Sequence, residues 1–183
     1  MFHSDTSFTK LGALEPGEYD TCEFAACELG GADLSGRVFT DCVFTDCDLS
    51  LAKVYGASFR DCVFRGCKLL GIRFDSANPI GFSPRFERCL LGHASFQGLN
   101  LKKIRFDGGS LTDADFTGAT LTGAVFDGCD LRGAAFEGTN LENADFRTAV
   151  NVVMDPEKNR LAKARFSVQG LPGLVAKYGV IVE

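Results

Sequence analysis

The sequence predicts an all-β solenoid with a square coil, and three observations predict it. A large apolar residue recurs at every fifth position, from Phe24 through Leu29, Leu34 and Phe39 to Phe74, and again from Phe86 through Leu91 and Phe96 to Phe146. Two residues before these centres the side chain is usually small, either alanine, as at Ala32, Ala52 and Ala114, or one of the eight cysteines. Positions twenty apart match better than positions five apart. A period of five suits neither a helix at about 3.6 residues nor a strand at about 2, so neither keeps such a stripe on one face. Four five-residue sides make a coil of twenty residues in which equivalent positions stack like rungs.

The chain reads as a single domain, residues 1–183, with five parts in order. Residues 1–18 form an N-terminal cap and 19–74 a first repeat block. The spacing of twelve between Phe74 and Phe86 is read as two units plus two inserted residues. That choice places Phe24, Phe44, Phe64, Phe86, Phe106, Phe126, Phe146 and Phe166 in one column and Leu29, Leu49, Leu69, Leu91, Leu111 and Leu131 in the next. A third face reads Leu14, Leu34, Val54, Phe74, Phe96, Phe116 and Phe136. The fourth reads Tyr19, Phe39 and Phe59, then Pro79 in the break, then Leu101, Leu121, Leu141 and Leu161. Seven to eight coils at about 4.8 Å per rung give a rod about 35 Å long. Arg37, Ile72, Leu99 and Ile104 stand where a small residue belongs, so the coil is expected to widen there.

Residues 75–85, DSANPIGFSPR, hold two prolines, a glycine and an asparagine, and form a loop. It is either a partner-contacting loop carrying Asn78, with Phe82 at its tip, or a surface insertion whose Phe82 folds back over a widened coil. Residues 86–166 form the second repeat block and 167–183 a tail. The tail has a short apolar helix from Leu171 to Tyr178, stopped by Gly179, then Val180-Ile181-Val182, which can pair as a strand. It shields the open end of the solenoid.

The composition, 45% hydrophobic and 23% charged, excludes a disordered chain, and no apolar run approaches the length of a membrane span. The start, MFHSDTSFTK, lacks the features of a signal peptide, so a cytosolic protein is expected. The even distribution of cysteines points to buried free thiols that pack, with neither disulfides nor a metal site. The histidines, His3 and His93, have no catalytic motif around them, and phosphate-binding glycine motifs are missing. No enzyme activity and no cofactor are expected.

Charge is uneven along the chain. Residues 1–75 hold 12 acidic and 7 basic residues, 76–110 hold 2 and 5, and 111–150 hold 7 and 2. On the lattice Glu87, Asp107 and Asp127 each follow a phenylalanine centre and stack as a carboxylate stripe, to which the neighbouring face adds Glu28, Asp48 and Asp130. The stripe is either a recognition surface for a protein that grips rows of phosphate or the solvated surface of an acidic protein. Arg85, Arg88, Lys102, Lys103 and Arg105 form a basic waist, read as salt-bridged to the flanking acids. At a net charge of −5, direct nucleic-acid binding is not expected.

Runs such as Ala32-Asp33-Leu34-Ser35-Gly36 and Ala144-Asp145-Phe146 resemble those of pentapeptide-repeat proteins. The resemblance implies a right-handed quadrilateral β-helix. Cys47-Asp48-Leu49-Ser50, the mid-chain break and the apolar tail resemble the quinolone-resistance (Qnr) and MfpA-type members. That likeness implies a DNA-mimicking rod that binds DNA gyrase or topoisomerase IV. It also implies a homodimer through the tail, with Leu171, Leu174, Val175 and Tyr178 as contacts. The other reading is a protein-interaction scaffold with no topoisomerase role.

Overall fold

A computed structural model describes residues 1–182. The chain winds into a solenoid whose strands are all parallel to their neighbours in the adjacent coils. One face is a four-stranded sheet in the order β1 (Phe2–Ser4), β3 (Glu18–Asp20), β5 (Val38–Thr40), β7 (Ser58–Arg60). The adjacent face is a nine-stranded sheet. It begins with β2 (Ser7–Thr9), β4 (Glu23–Ala25), β6 (Val43–Thr45) and β8 (Val63–Arg65), and continues through β9 (Arg85–Glu87), β10 (Arg105–Asp107) and β11 (Val125–Asp127) to β12 (Asp145–Phe146) and β13 (Arg165–Phe166). The other faces are joined rung to rung by single bridges, such as Glu28 to Asp48 and Asp33 to Lys53.

The pairing has the expected phase. Phe24 lies against Phe44, Phe44 against Phe64, and Phe64 against Phe86 across the break. Like residues therefore stack: the rings of Phe24 and Phe44 are 4.5 Å apart and 9° from parallel, and those of Phe126 and Phe146 are 4.8 Å and 7°. Neighbouring faces meet edge-on, as Phe96 meets Phe106 at 5.7 Å and 80°. Both are favourable aromatic geometries, worth about 0.5–1.5 kcal/mol per pair beyond area burial.

Corners come in two kinds, and they explain where cysteine is used. Where a face is not strand, the centre's carbonyl accepts the N–H three residues on; Leu29 O accepts from Ala32 at 3.0 Å, and glycine at the left-handed position is common, as at Gly31 (φ 67°). At Ala32, Ala52, Ala57 and Ala94 this bond is 2.9–3.1 Å; at Arg37, Leu99 and Ile104 it is 3.2 Å, as it is at Ala149, and only at Ile72 does it reach 3.4 Å. All eight cysteines sit at corners that follow a strand. Each thiol donates to the carbonyl of a centre one coil earlier: Cys47 to Phe24 O and Cys89 to Phe64 O at 3.3 Å, Cys67 to Phe44 O at 3.4 Å. Thr139 does the same with a hydroxyl, donating to Phe116 O at 2.9 Å. The cysteines are free and buried, and burial pushes the Cys129 thiol up to about 12.

The break takes the second of its two expected forms, with Phe82 folded back, and departs from expectation only at Pro79. Asn78 N–H bonds to Ala57 O at 2.8 Å, and Ser83 N–H bonds to Phe59 O at 3.2 Å. The chain thus leaves the coil after Asn78 and rejoins it at Phe82. Pro79 is exposed, and Phe82 takes the core place assigned to it, buried beside Phe74 at 5.5 Å. Phe82 is not at the loop tip; Ile80, 74% exposed, is. Asn78 organises the loop, its amide donating to Ser58 Oγ (3.1 Å) while its carbonyl accepts from Ile80 N–H (3.0 Å).

The tail caps the last coil. After a 3-10 turn at Val168–Gly170 comes α1 (Pro172–Val175), then a second turn at Ala176–Tyr178 ended by Gly179 in the left-handed region (φ 65°). Leu174 packs against the core. A side chain at Gly173 would collide with the backbone of Val152, so glycine permits this approach. Lys177 Nζ donates to Asp155 at 2.6 Å and Glu157 at 2.7 Å, and Tyr178 OH donates to Glu157 at 2.6 Å. Val180-Ile181-Val182 forms no strand and is exposed, because the cap leaves no coil edge beside it.

Three outcomes are expected. Phe82→Ala should destabilise the fold by about 3–4 kcal/mol, and Ile80→Ala by no more than about 0.5 kcal/mol, in urea melts. A thiol reagent at pH 8 should leave the cysteines of the native protein unmodified and label all eight after denaturation. Lys177 holds the carboxyls of Asp155 and Glu157 below their usual range. Their contribution to docking the cap is therefore present above the ordinary carboxylate range and lost as the pH falls through the depressed values, below about 4. Hydrogen exchange across residues 168–179 should rise there before the central strands open, and Lys177→Gln should remove that pH dependence.

Candidate functional site

The centres and the small residues point inward, so every group able to meet a partner lies at the three remaining positions of each unit. The stripe forms as expected: Glu87, Asp107 and Asp127 are in register on β9, β10 and β11. Cations and donors answer it. Arg65 reaches Glu87 at 2.8 Å, Arg105 reaches Asp107 at 2.8 Å, and Thr148 Oγ1 donates to Asp127 at 2.7 Å.

The second group does not form one row. Glu28 and Asp48 are adjacent rungs, but Lys68, Leu90 and Ser110 separate Asp48 from Asp130. Lys68 lies 3.9 Å from Asp48 and Arg132 lies 3.5 Å from Asp130. The Asn151 amide at 2.7 Å holds the Asp130 carboxyl below its usual range, helped by the Arg132 N–H at 3.0 Å. The six acids are thus two sets on neighbouring faces, mostly partnered, and the second is interrupted between Asp48 and Asp130.

The unpartnered negative charge lies elsewhere. Asp5, Asp41 and Asp61 follow β1, β5 and β7 along the corner between the two sheets, Asp20 ends β3 one position before that row, where Thr21 stands, and none of the four forms an ion pair among the described residues. The backbone places them on successive coils: Asp5 N–H bonds to Asp20 O at 3.1 Å and Asp41 N–H to Arg60 O at 2.9 Å. Three of the four adopt positive φ, 48° to 51°, a conformation that aspartate tolerates better than most side chains. Sequence reasoning passed over this ridge because Thr21 interrupts its row and Asp20 sits one position earlier in the unit. The spacing of twenty between Asp41 and Asp61 was the available signal.

At the tail end, Leu171 (48%) and Tyr178 (58%) are exposed beside Val168, Val180 and Ile181, whereas Leu174 and Val175 turn partly inward. The cap residues divide into two that face solvent and two that serve the end of the rod. The basic waist is only partly salt-bridged: Arg105 pairs with Asp107, but Arg85, Arg88, Lys102 and Lys103 have no carboxylate partner among the described residues. His3 stacks on Tyr19 at 4.9 Å, and His93 is exposed, 3.9 Å from Asp113. Among the described residues no cluster of His, Cys, Asp and Glu is placed to hold a metal ion, and no helix is long and apolar enough to cross a membrane.

No curated protein matches the chain. Full-length QnrB1, a plasmid-mediated fluoroquinolone resistance protein, is 21% identical with a TM-score of 0.46, over 98% of this chain and 100% of that one. HetL, a pentapeptide repeat protein of Nostoc sp. strain PCC 7120 involved in heterocyst differentiation regulation, is 17% identical with a TM-score of 0.34, over 89% and 86%. A pentapeptide repeat protein of the Arabidopsis thaliana thylakoid lumen is 26% identical with a TM-score of 0.28, over 64% and 66%. The model of the pentapeptide repeat region matches residues 37–111, and that of pentapeptide repeats, in 8 copies, matches 110–147. With its five-residue sides, stacked phenylalanine and leucine centres and these matches, the chain belongs to the pentapeptide-repeat family.

Proposed function

We propose that this protein is a non-enzymatic interaction rod whose acidic corner occupies the DNA-binding surface of a type II topoisomerase, DNA gyrase or topoisomerase IV, and so protects it from quinolones. The observation that carries the reading is the ridge of Asp5, Asp20, Asp41 and Asp61, four carboxylates on successive coils without ion pairs among the described residues. At about 4.8 Å per coil their spacing approaches the ~3.4 Å per charge of a single DNA strand, which surfaces that bind phosphate rows select. The topoisomerase itself comes from the resemblance of the repeats. Two rods joined through the exposed apolar end around Leu171 and Tyr178 would lengthen the negative surface.

A second reading, a protein-interaction scaffold without a topoisomerase role, draws support from the cations that answer Glu87, Asp107 and Asp130. Gyrase supercoiling with and without ciprofloxacin separates the two. Titration into the micromolar range should rescue the enzyme at low concentration or inhibit it at high. Asp20→Asn with Asp41→Asn and Asp61→Asn, which preserve side-chain shape, should weaken either effect about tenfold or more. Glu87→Lys with Asp107→Lys and Asp127→Lys should weaken it less, since those carboxylates already have partners. Absence of any effect on gyrase and topoisomerase IV would leave the scaffold reading standing.

A further inference from the structure

The insertion leaves a defect in the lattice that the acidic ridge does not explain. A regular corner has two residues between a centre and the next small position, as Arg60 and Asp61 lie between Phe59 and Cys62. Between Phe82 and Pro84 there is only Ser83. The ladder breaks at the missing residue. Asp41 N–H bonds to Arg60 O in the coil beyond at 2.9 Å, but Asp61 N–H has only Ser83 Oγ, also at 2.9 Å. The shortened corner is a dent of about 310 Å³ between the coil of Asp61 and that of Leu101.

The floor of the dent is apolar, made by Phe82, Pro84, Leu101 and Ile104, and its rim carries Arg85, Lys102, Lys103 and Arg105. Elsewhere on the rod most arginines have a carboxylate, as Arg65 has Glu87, Arg73 has Asp75 and Arg147 has Asp145. Here only Arg105 does. Arg85, Lys102 and Lys103 line one concavity and form no ion pair among the described residues, Asp61 being the one carboxylate that shares its lining, and the pairing of Phe86 with Phe106 sets Arg85 and Arg105 on neighbouring strands, a like-charge arrangement that costs stability while it is unneutralised.

We propose that this dent is a binding site for a compact polyanion of the pyrophosphate or polyphosphate class. Its volume is at the lower end for small-ligand pockets, about 300–1,000 Å³, and suits a group of that size. Arginine and lysine together supply the charge-assisted hydrogen bonds that phosphate oxygens accept, and Asn100 and Ser83 add neutral partners. An extended nucleic acid is disfavoured, because it would run onto Glu87 and Asp107, which border the basic rim, on a chain of net charge −5. The site would let the rod report or respond to a small phosphorylated ligand independently of whatever its acidic corner meets.

Isothermal titration of the full chain with sodium pyrophosphate at low salt tests this. One saturable site is expected, weakening as salt rises. Lys102→Ala with Lys103→Ala should weaken it about tenfold or more, and so should Arg85→Gln, with melting temperatures not lowered because all three side chains are exposed and Arg85 stands opposite a like charge. Lys163→Ala, on the same corner three coils away, should leave it intact. A parallel titration with a nucleoside triphosphate separates two sources of the same chemistry: tighter binding means that the apolar floor also holds the base, and equal binding means that phosphate alone is read. No saturation at millimolar pyrophosphate, an affinity indifferent to the rim variants, or saturation by an oligo-glutamate peptide alone would each overturn the proposal.

Discussion

Identical residues must stack on one another at the spacing of a parallel sheet, about 4.8 Å, and most of this structure follows from that requirement. Two inward positions in each five-residue side leave room for one large group and one small one. A phenylalanine above a phenylalanine satisfies both contacts with a single ring orientation, as the Phe44–Phe64 pair does at 4.8 Å and 12°. Because each coil packs only on its neighbours, stability is close to a sum of coil and interface terms, and the ends need separate solutions. The tail is one such solution, with Leu174 packed on the core and Lys177 bound to Asp155 and Glu157.

The same geometry gives the cysteines their distribution. At turn corners the centre's carbonyl takes the N–H three residues on, so any small apolar residue serves, and alanine does. At corners after the three-residue strands that bond is absent, and a short side chain with a weak donor can reach the centre carbonyl of the preceding coil. Cys62 reaches Phe39 O at 3.5 Å and Cys129 reaches Phe106 O at 3.3 Å. Thr139, at a corner that follows no strand, makes the same bond with its hydroxyl, and there too the centre's carbonyl lacks the N–H three residues on.

The columns, the phase across the break and the free thiols were legible because the inward positions repeat under a strict steric rule. What escaped the sequence lies where that rule is relaxed. Pro79 reads as the column centre in the break, but the core vacancy beside Phe74 is worth more to a phenylalanine, so Phe82 folds back as one of the two readings had it and three residues bulge out to let it in. Val180-Ile181-Val182 reads as a strand by composition, yet a strand needs an open edge, and the tail has already covered the end. For the outward residues no rule of packing exists. The Glu87, Asp107 and Asp127 register followed from the lattice, but their partners Arg65, Arg105 and Thr148 depend on side-chain reach.

Charge density sets the limit on what the acidic surface can imitate. Nine parallel rungs span about 38 Å at ~4.8 Å each, and a net charge of −5 over that length is far sparser than one charge per ~1.7 Å of duplex DNA. The rod as a whole therefore cannot pass for DNA, and any imitation must be local. The corner of Asp5, Asp20, Asp41 and Asp61 qualifies because its charges are close and unpaired among the described residues; the stripe on β9 to β11 does not, because its charges are answered. The corner ends where the lattice does. Asp61 is its last carboxylate, and in the next coils Ser83 and then Lys103 take over, so one insertion both terminates the acidic ridge and opens the basic dent. A partner gripping the ridge would meet opposite charge beyond the fourth carboxylate, which fixes how far along the rod it can sit.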